Sequence, residues 1–292
     1  MTNIRILYYD LLHYIEADKI DHLSDGERLN LIQSIAESGP STEGWNALIE
    51  LFYAWKWNHK HEAIAYANSL IVNWPLAIRT VNAAWGRIFD NKKLTDVVWL
   101  AKGIEINRSS DGNELAVIAS SPNAVNLVQI SMDRSRVSFE SVSELAHSKF
   151  LNVLISLDLN GIIFTDEKLG ILFNTTALSG LEFLKLKKCT INTERTKLFA
   201  GSKLLTQLLG LNLSHNTISN KGIDILFNST LLPNLEELNL TNNFISDEGA
   251  VLLLKSAFLP NLREVILNEN NFKNTEALYA LAAKKNNLKL IL

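Results

Sequence analysis

The 292-residue sequence has one cysteine, 5 prolines and 13 glycines. One thiol forbids an internal disulfide. So little glycine and proline excludes a collagen-like chain, and an apolar share of 47% against 20% charged excludes a disordered one. Neither sign of charge dominates: 28 Lys plus Arg stand against 31 Asp plus Glu, a formal net charge of −3. Holding nucleic acid by phosphate neutralisation needs a clustered basic excess, so no nucleic-acid partner is expected. An 18-residue apolar run is also missing, which argues against a membrane partner. Asp10, Glu16 and Asp18 interrupt the stretch that a secretory signal would keep apolar. The expectation is a soluble, cytoplasmic chain of two domains or one long repeat array.

What is present is a repeat. The pattern LxxLxLxx(N/C)xI recurs every 27 residues. Its first position falls at Leu127, Leu154, Leu181, Leu208, Leu235 and Leu262, and its fourth at Ile130, Leu157, Leu184, Leu211, Leu238 and Val265. The sixth reads Met132, Leu159, Leu186, Leu213, Leu240 and Leu267, and the eleventh Val137, Phe164, Ile191, Ile218, Ile245 and Phe272. No polar residue enters these columns. Alternation at positions four to six predicts a short strand with its apolar side chains on one face. Segments such as Ser219–Phe227 and Ser246–Leu254 then show helical spacing, with a serine placed to cap the first turn.

One strand and one helix of this size cannot bury their apolar faces alone, so neighbouring units must stack. The predicted fold class is α/β: a right-handed solenoid with a parallel sheet on the concave side, helices on the convex side, and an α-helical region preceding it. Six strands about 4.8 Å apart make a wall roughly 25 Å wide, the scale of a protein patch. NLEELNLTNNFISDEGAVLLL and GLNLSHNTISNKGIDILF resemble leucine-rich repeats of the ribonuclease-inhibitor-like, helix-containing class, over about 120–292. The resemblance implies a horseshoe that binds macromolecules through its concave face without catalytic chemistry of its own. Low proline and repeats rich in Asn and Ile point to a bacterial source.

The ninth column, usually Asn in that class, reads Ser135, Ile162, Cys189, Asn216, Asn243 and Asn270. A buried Asn there serves turn backbone groups with both its donors and its acceptor. Ile162 cannot, so the polar ladder is expected to break in the first half, with that turn finding other partners or water.

Residues 1–106 lack the repeat. All six tryptophans lie within 45–99, and helices are predicted near 5–17, 43–57, 61–73, 75–89 and 94–102, with a capping box at Ser24–Glu27 and an edge strand at Ile104–Ile106. The stretch Asn107–Asn113 marks the boundary with the repeats, 107–292. The plainest role for the first region is to cover the first apolar layer of the stack; recruitment of a separate partner is the alternative. At the other end, KKNNLKLIL begins a seventh strand, with Leu288 only 26 residues after Leu262. An uncovered edge invites a homodimer. The preferred alternative is a monomer in which Leu288, Leu290 and Leu292 fold under the last helix.

No enzyme signature or cofactor motif is found: GxSxG, CxxC, GxxxxGK[ST] and GxGxxG are all absent. Some bacterial leucine-rich-repeat effectors carry a cysteine-dependent ubiquitin-ligase domain, but Cys189 stands in the ninth column, where the repeat takes a small buried residue. His59 and His61 are two apart, which points them to different sides of a helix, so no metal is expected. The candidate surface is the set of outward strand positions. From the third column come Gln129, Phe183, Glu237 and Glu264, from the fifth Asp158, Lys185, Asn212 and Asn239, and from the seventh Asp133, Asn160, Lys187, Ser214, Thr241 and Asn268. Lys185, Lys187 and Lys188 surround Phe183, whereas Glu237, Glu264 and Glu269 gather towards the last units. This divided wall, with Phe183 either an exposed anchor or leaning on its neighbours, is expected to bind a protein partner. Regulation of a small GTPase and a pathogen-effector role are the alternatives on the same surface.

Overall fold

In the computed structural model, described over residues 11, 15, 22–55, 59–82, 88–90, 93–107, 112–199, 201–228, 232–285 and 288–292, the chain separates into two units. The first is Met1–Glu105 with Asn123–Leu127, and the second Ile106–Pro122 with Val128–Leu292.

The first unit opens with helices Asp25–Glu37, Thr42–Ala54 and Lys60–Leu70. Ser24 and Glu27 form the expected reciprocal capping box. The helix predicted at 5–17 lies largely outside the described residues. The helix predicted at 75–89 does not form over 75–82 or 88–90, with 83–87 outside the described residues, and 94–102 holds a 3₁₀ turn in place of an α-helix; both are corrections. Turns and β1 (Thr80–Asn82) occupy the first of these segments, followed by the hairpin of β2 (Phe89–Asp90) and β3 (Lys93–Leu94). A 3₁₀ turn at Asp96–Leu100 then leads into β4 (Gly103–Asn107), which runs parallel to β1. The reason is Arg79. Its guanidinium is buried and donates to Leu100 O at 2.7 and 3.0 Å, Ile71 O at 3.3 Å and Asn68 Oδ1 at 2.5 Å, drawing β1 and the 3₁₀ turn together. A buried charge is tolerable when so fully hydrogen-bonded. Trp99 Nε1 donates to Asn123 Oδ1 (2.9 Å), and Asn123 donates in turn to Leu94 O (2.8 Å), which is why 123–127 belong to this unit.

The second unit carries β5 (Gln129–Asp133), β6 (Ser156–Asp158), β7 (Phe183–Lys185), β8 (Gly210–Asn212), β9 (Glu237–Asn239), β10 (Glu264–Ile266) and β11 (Lys289–Ile291), each parallel to the next. Gln129 pairs with Ser156, Ser156 with Phe183, Phe183 with Gly210, Gly210 with Glu237 and Glu237 with Glu264, so the register is the 27-residue sequence period. Every residue of the first, fourth and sixth columns is buried. This is a leucine-rich-repeat solenoid.

Helices Phe139–Ala146, Asp166–Phe173, Ser219–Asn228, Asp247–Lys255 and Thr275–Ala282 follow their strands. After β7 the expectation of a full helix fails: a 3₁₀ turn, Arg195–Phe199, and a single α-turn, Lys203–Thr206, take its place. The serine caps expected at 219 and 246 also fail. Ser219 Oγ meets Thr193 Oγ1 at 2.8 Å, and Ser246 Oγ accepts from Asn220 Nδ2 at 2.7 Å, because both hydroxyls turn towards the preceding unit.

The ninth-column ladder forms where Asn is present. Asn216 accepts from the N–H groups of Cys189 and Ile191, both at 3.0 Å, and donates to Leu186 O and Leu213 O. Asn270 repeats this pattern, and Asn243 repeats the two donations while accepting Ile218 N–H at 3.4 Å. At the buried Ile162 the ladder is interrupted: Gly161 N–H donates to Lys187 O at 2.7 Å, but this is the same bond that Lys188, His215 and Asn242 make in units with Asn at or beside position nine, and it replaces nothing. A second ladder runs through the helical side: Ser148, Thr175 and Ser202 each donate to a carbonyl 29 residues back, those of Ala119, Ala146 and Phe173, at 2.5–2.7 Å. These hydroxyls satisfy helix-end carbonyls that have no partner in their own helix.

The seventh strand is shorter in register than its leucine suggests. Leu288 N–H bonds Lys285 O as Leu262 N–H bonds Leu259 O, but Lys289 already pairs with Glu264, 25 residues away. Leu288, Leu290 and Leu292 are half-buried.

Candidate functional site

The fifth column contains the first surprise, because three of its polar residues are committed to the backbone. Asp158, Asn212 and Asn239 each accept, through Oδ1, the N–H two residues on, that of Asn160 (3.1 Å), Ser214 (2.9 Å) and Thr241 (3.0 Å). This side-chain turn ends each strand by giving its next N–H a partner. Asn160 is committed as well, its Oδ1 accepting from Lys187 N–H at 2.8 Å. Ser214, expected to face outward, is buried, which is a correction: a serine side chain is too short to reach past its neighbours on the sheet. Among the described residues, the Asn268 side chain makes a long contact, Nδ2 to Leu292 O at 3.5 Å.

The eighth column has a backbone signature of its own. Arg134, Gly161, Lys188, His215, Asn242 and Glu269 all adopt positive φ, between 49° and 70°. Left-handed backbone turns the chain sharply out of the strand and presents these side chains beside the sheet. Burial together with Lys187 and Lys188 lowers the His215 pKa, while Glu269 acts against them. The ring is therefore neutral at neutral pH.

Among the predicted residues, Phe183, Lys185, Asn212, Glu237, Asn239 and Glu264 converge on one recess of about 160 Å³ across β7–β10. Gln129, Asp133, Asp158, Asn160, Lys187, Ser214, Thr241 and Asn268 lie outside its lining. Gly210 at the start of β8 sets the position of the Phe183 ring that lines this recess. A Cβ on Gly210 would lie 2.6 Å from Phe183 Cδ1, so the ring can lean over β8 only while position 210 is bare. Phe183 is thus half-buried against its neighbour, the second of the two orientations that the sequence left open. Ile266 on β10 supplies an apolar wall opposite. Both Gly210 and Ile266 appear in the outward columns, but a missing side chain and an aliphatic one carried no signal of a site.

The divided charge is present but partly compensated. Lys185 Nζ lies 3.7 Å from Asp158 Oδ2, and Lys289 Nζ lies 2.8 Å from Glu264 Oε2. The second pair was not foreseen, because the 25-residue offset of β11 is what brings Lys289 opposite Glu264. Burial raises the Asp158 pKa, against the pull of the Asn160 N–H and of Lys185. Glu237 is exposed and has no ion-pair partner among the described residues.

Cys189 is fully buried and shares its S–H between Leu159 O (3.2 Å) and Lys187 O (3.4 Å). Burial pushes its pKa up to about 12. A nucleophilic cysteine needs the opposite shift. His59 Nδ1 lies 3.7 Å from Glu62, with both side chains exposed. The larger recess of the first unit, about 760 Å³, is lined in part by Tyr53, Lys60, His61 and Asp96, and its Lys60 is already paired to Asp96 at 2.9 Å.

No family model matches the sequence, and no curated protein does. Among solved structures, the chain is similar to an internalin from Listeria monocytogenes, with 18% identity and a TM-score of 0.42 over 68% of this chain and 50% of that one. It therefore spans half the length of that internalin. It is also similar to a protein from Bacteroides fragilis, with 16% identity and a TM-score of 0.49 over 80% of this chain and 84% of that one.

Proposed function

We propose that the repeat unit is a non-enzymatic protein-binding module whose partner rests on the open sheet face at β7–β10. The observation that carries this reading is the recess itself: a side-chain-sized hollow bounded by the Phe183 ring, where it covers Gly210, and by Ile266, Lys185 and Glu237, on a face whose strands are held by backbone ladders. Rigid strands lose little freedom when a partner docks, so binding energy is retained rather than spent on ordering. An aromatic edge in a hollow with charged groups at its rim is the usual anatomy of an interaction centre. The buried, protonated Cys189 adds no nucleophile to this face.

The test compares proteins captured by the wild type with those captured by a Phe183→Ala, Lys185→Glu double variant, followed by mass spectrometry. The expected result is a partner retained by the first and lost by the second. Identical sets from both would end the assignment of this surface.

A further inference from the structure

The order of features across the strands says what kind of segment fits, on the reading that the partner docks at β7–β10. Lys185 stands on β7, the Phe183 ring lies over Gly210 of β8 with the recess beside it, and Glu237 stands on β9 and Glu264, paired with Lys289, on β10. Adjacent strands lie about 4.8 Å apart, so β7 to β10 spans roughly 14 Å. An extended chain rises about 3.3 Å per residue and presents alternate side chains to one face. Residues i, i+2 and i+4 of such a chain therefore face the sheet at about 0, 7 and 13 Å. Lys185 lies two residues, about 7 Å, further along its strand than the position level with Glu237, so a segment running obliquely from Lys185 of β7 to Glu237 of β9 covers about 12 Å and puts i+2 over β8 beside Phe183.

We infer that the occupant is an extended segment of a partner protein that crosses the strands with an acidic residue at i, an apolar residue at i+2 and a basic residue at i+4, read in either chain direction. Three observations carry this. Glu237 is exposed and makes no ion pair among the described residues, so it is an anion open to a cation. Lys185 keeps half of its side chain in solvent and holds Asp158 only at 3.7 Å, so its charge is available to an incoming carboxylate, with Lys187 in the next outward column of the same unit. The hollow of about 160 Å³ between them has room for one aliphatic side chain against Phe183 and Ile266. Like charges placed opposite those rims are rejected, which makes the order of charges the source of specificity.

The experiment is selection of random dodecapeptides displayed on phage against the intact chain and two variants. Wild type is expected to enrich acidic–x–apolar–x–basic segments. Lys185→Glu with Lys187→Glu is expected to enrich basic residues at both ends, and Glu237→Lys with Glu264→Lys acidic residues at both ends. A wild-type-selected peptide should bind at least tenfold more weakly to Gly210→Ala, whose new methyl displaces the Phe183 ring. It should do the same with Phe183→Ala, and thermal melts of both variants would verify that they fold.

Enriched peptides that ignore the charge variants, or no enrichment at all, would overturn the inference. If partner capture still depended on Phe183 in that case, the broader reading would survive. Concentration-dependent dimerisation abolished by Phe183→Ala would identify a second copy of the chain as the occupant and overturn the inference too.

Discussion

At the scale of single residues, the repeat is held by side chains that replace missing backbone partners. Asn243 is fully buried, and its Nδ2 donates to Leu213 O, Leu240 O and Thr241 O. Asn243→Leu keeps the branching, and it leaves these carbonyls their donors from Asn216, Asn270 and His215, but Ile218 N–H loses its acceptor and the pocket must take a bulkier apolar group; a buried unpaired group costs about 1–3 kcal/mol. We expect a loss of about 1–3 kcal/mol, read by urea denaturation. Cys189 behaves differently, because its burden is protonation. Its folded pKa, about 12, lies above the ordinary value of 9.0, so the folded state holds its proton more tightly. Stability from this source is complete below about pH 9 and declines as pH rises towards 12. Wild type should therefore lose stability over that window faster than Cys189→Ala, and the native thiol should resist alkylation at pH 8 until the chain unfolds. An equal alkaline slope in both proteins would show that the thiol is not what titrates.

Between elements, close approach decides more than propensity does. In the helix Asp247–Lys255, Gly249 faces Asn220 of the preceding unit, and a Cβ at 249 would lie 2.3 Å from Asn220 Oδ1. That oxygen accepts Ser246 N–H at 2.9 Å while Asn220 Nδ2 donates to Ser246 Oγ. Helix propensity alone predicts that Gly249→Ala stabilises by about 1 kcal/mol. We expect the opposite sign, a loss of about 1–2 kcal/mol, because the methyl breaks the Asn220 clasp; thermal unfolding distinguishes the two. The same principle explains what the sequence showed of the elements. Strands were legible because columns four and six are apolar without exception. The helix after β7 was not, because Thr193, Thr196 and Gly201 give it turn chemistry that periodicity overlooks. The hydroxyl ladder was written in the sequence, since Ser121, Ser148, Thr175, Ser202, Ser229 and Ser256 share one column at 27-residue spacing. A search confined to leucines passes over it.

For the whole molecule, the division into units does not follow the chain in one cut. Asn123 and Asn126 bond to Leu94 and Trp99, so the first unit borrows a segment from beyond the boundary stretch 107–113. A fragment of residues 1–105 loses those bonds, and Trp99 Nε1 loses its acceptor. We therefore expect residues 1–127 to show the higher melting temperature and sharper amide dispersion of the two fragments, with 1–105 the more prone to aggregate. Equal behaviour would mean that 123–127 are dispensable to that unit.

The strands, their spacing and the buried columns follow from the chain alone, because a period of apolar side chains too small to be buried one unit at a time leaves stacking as the solution. The Asn ladder follows for the same reason: position nine must serve backbone groups wherever its residue has both a donor and an acceptor. The recess is different. Phe183 and Gly210 are 27 residues apart, and only the parallel register of β7 with β8 lays the ring over the bare backbone. Likewise the turn bonds of Asp158, Asn212 and Asn239, and the pairing of Lys289 with Glu264, arise from where the backbone bends, and column membership alone does not separate a committed polar group from a free one.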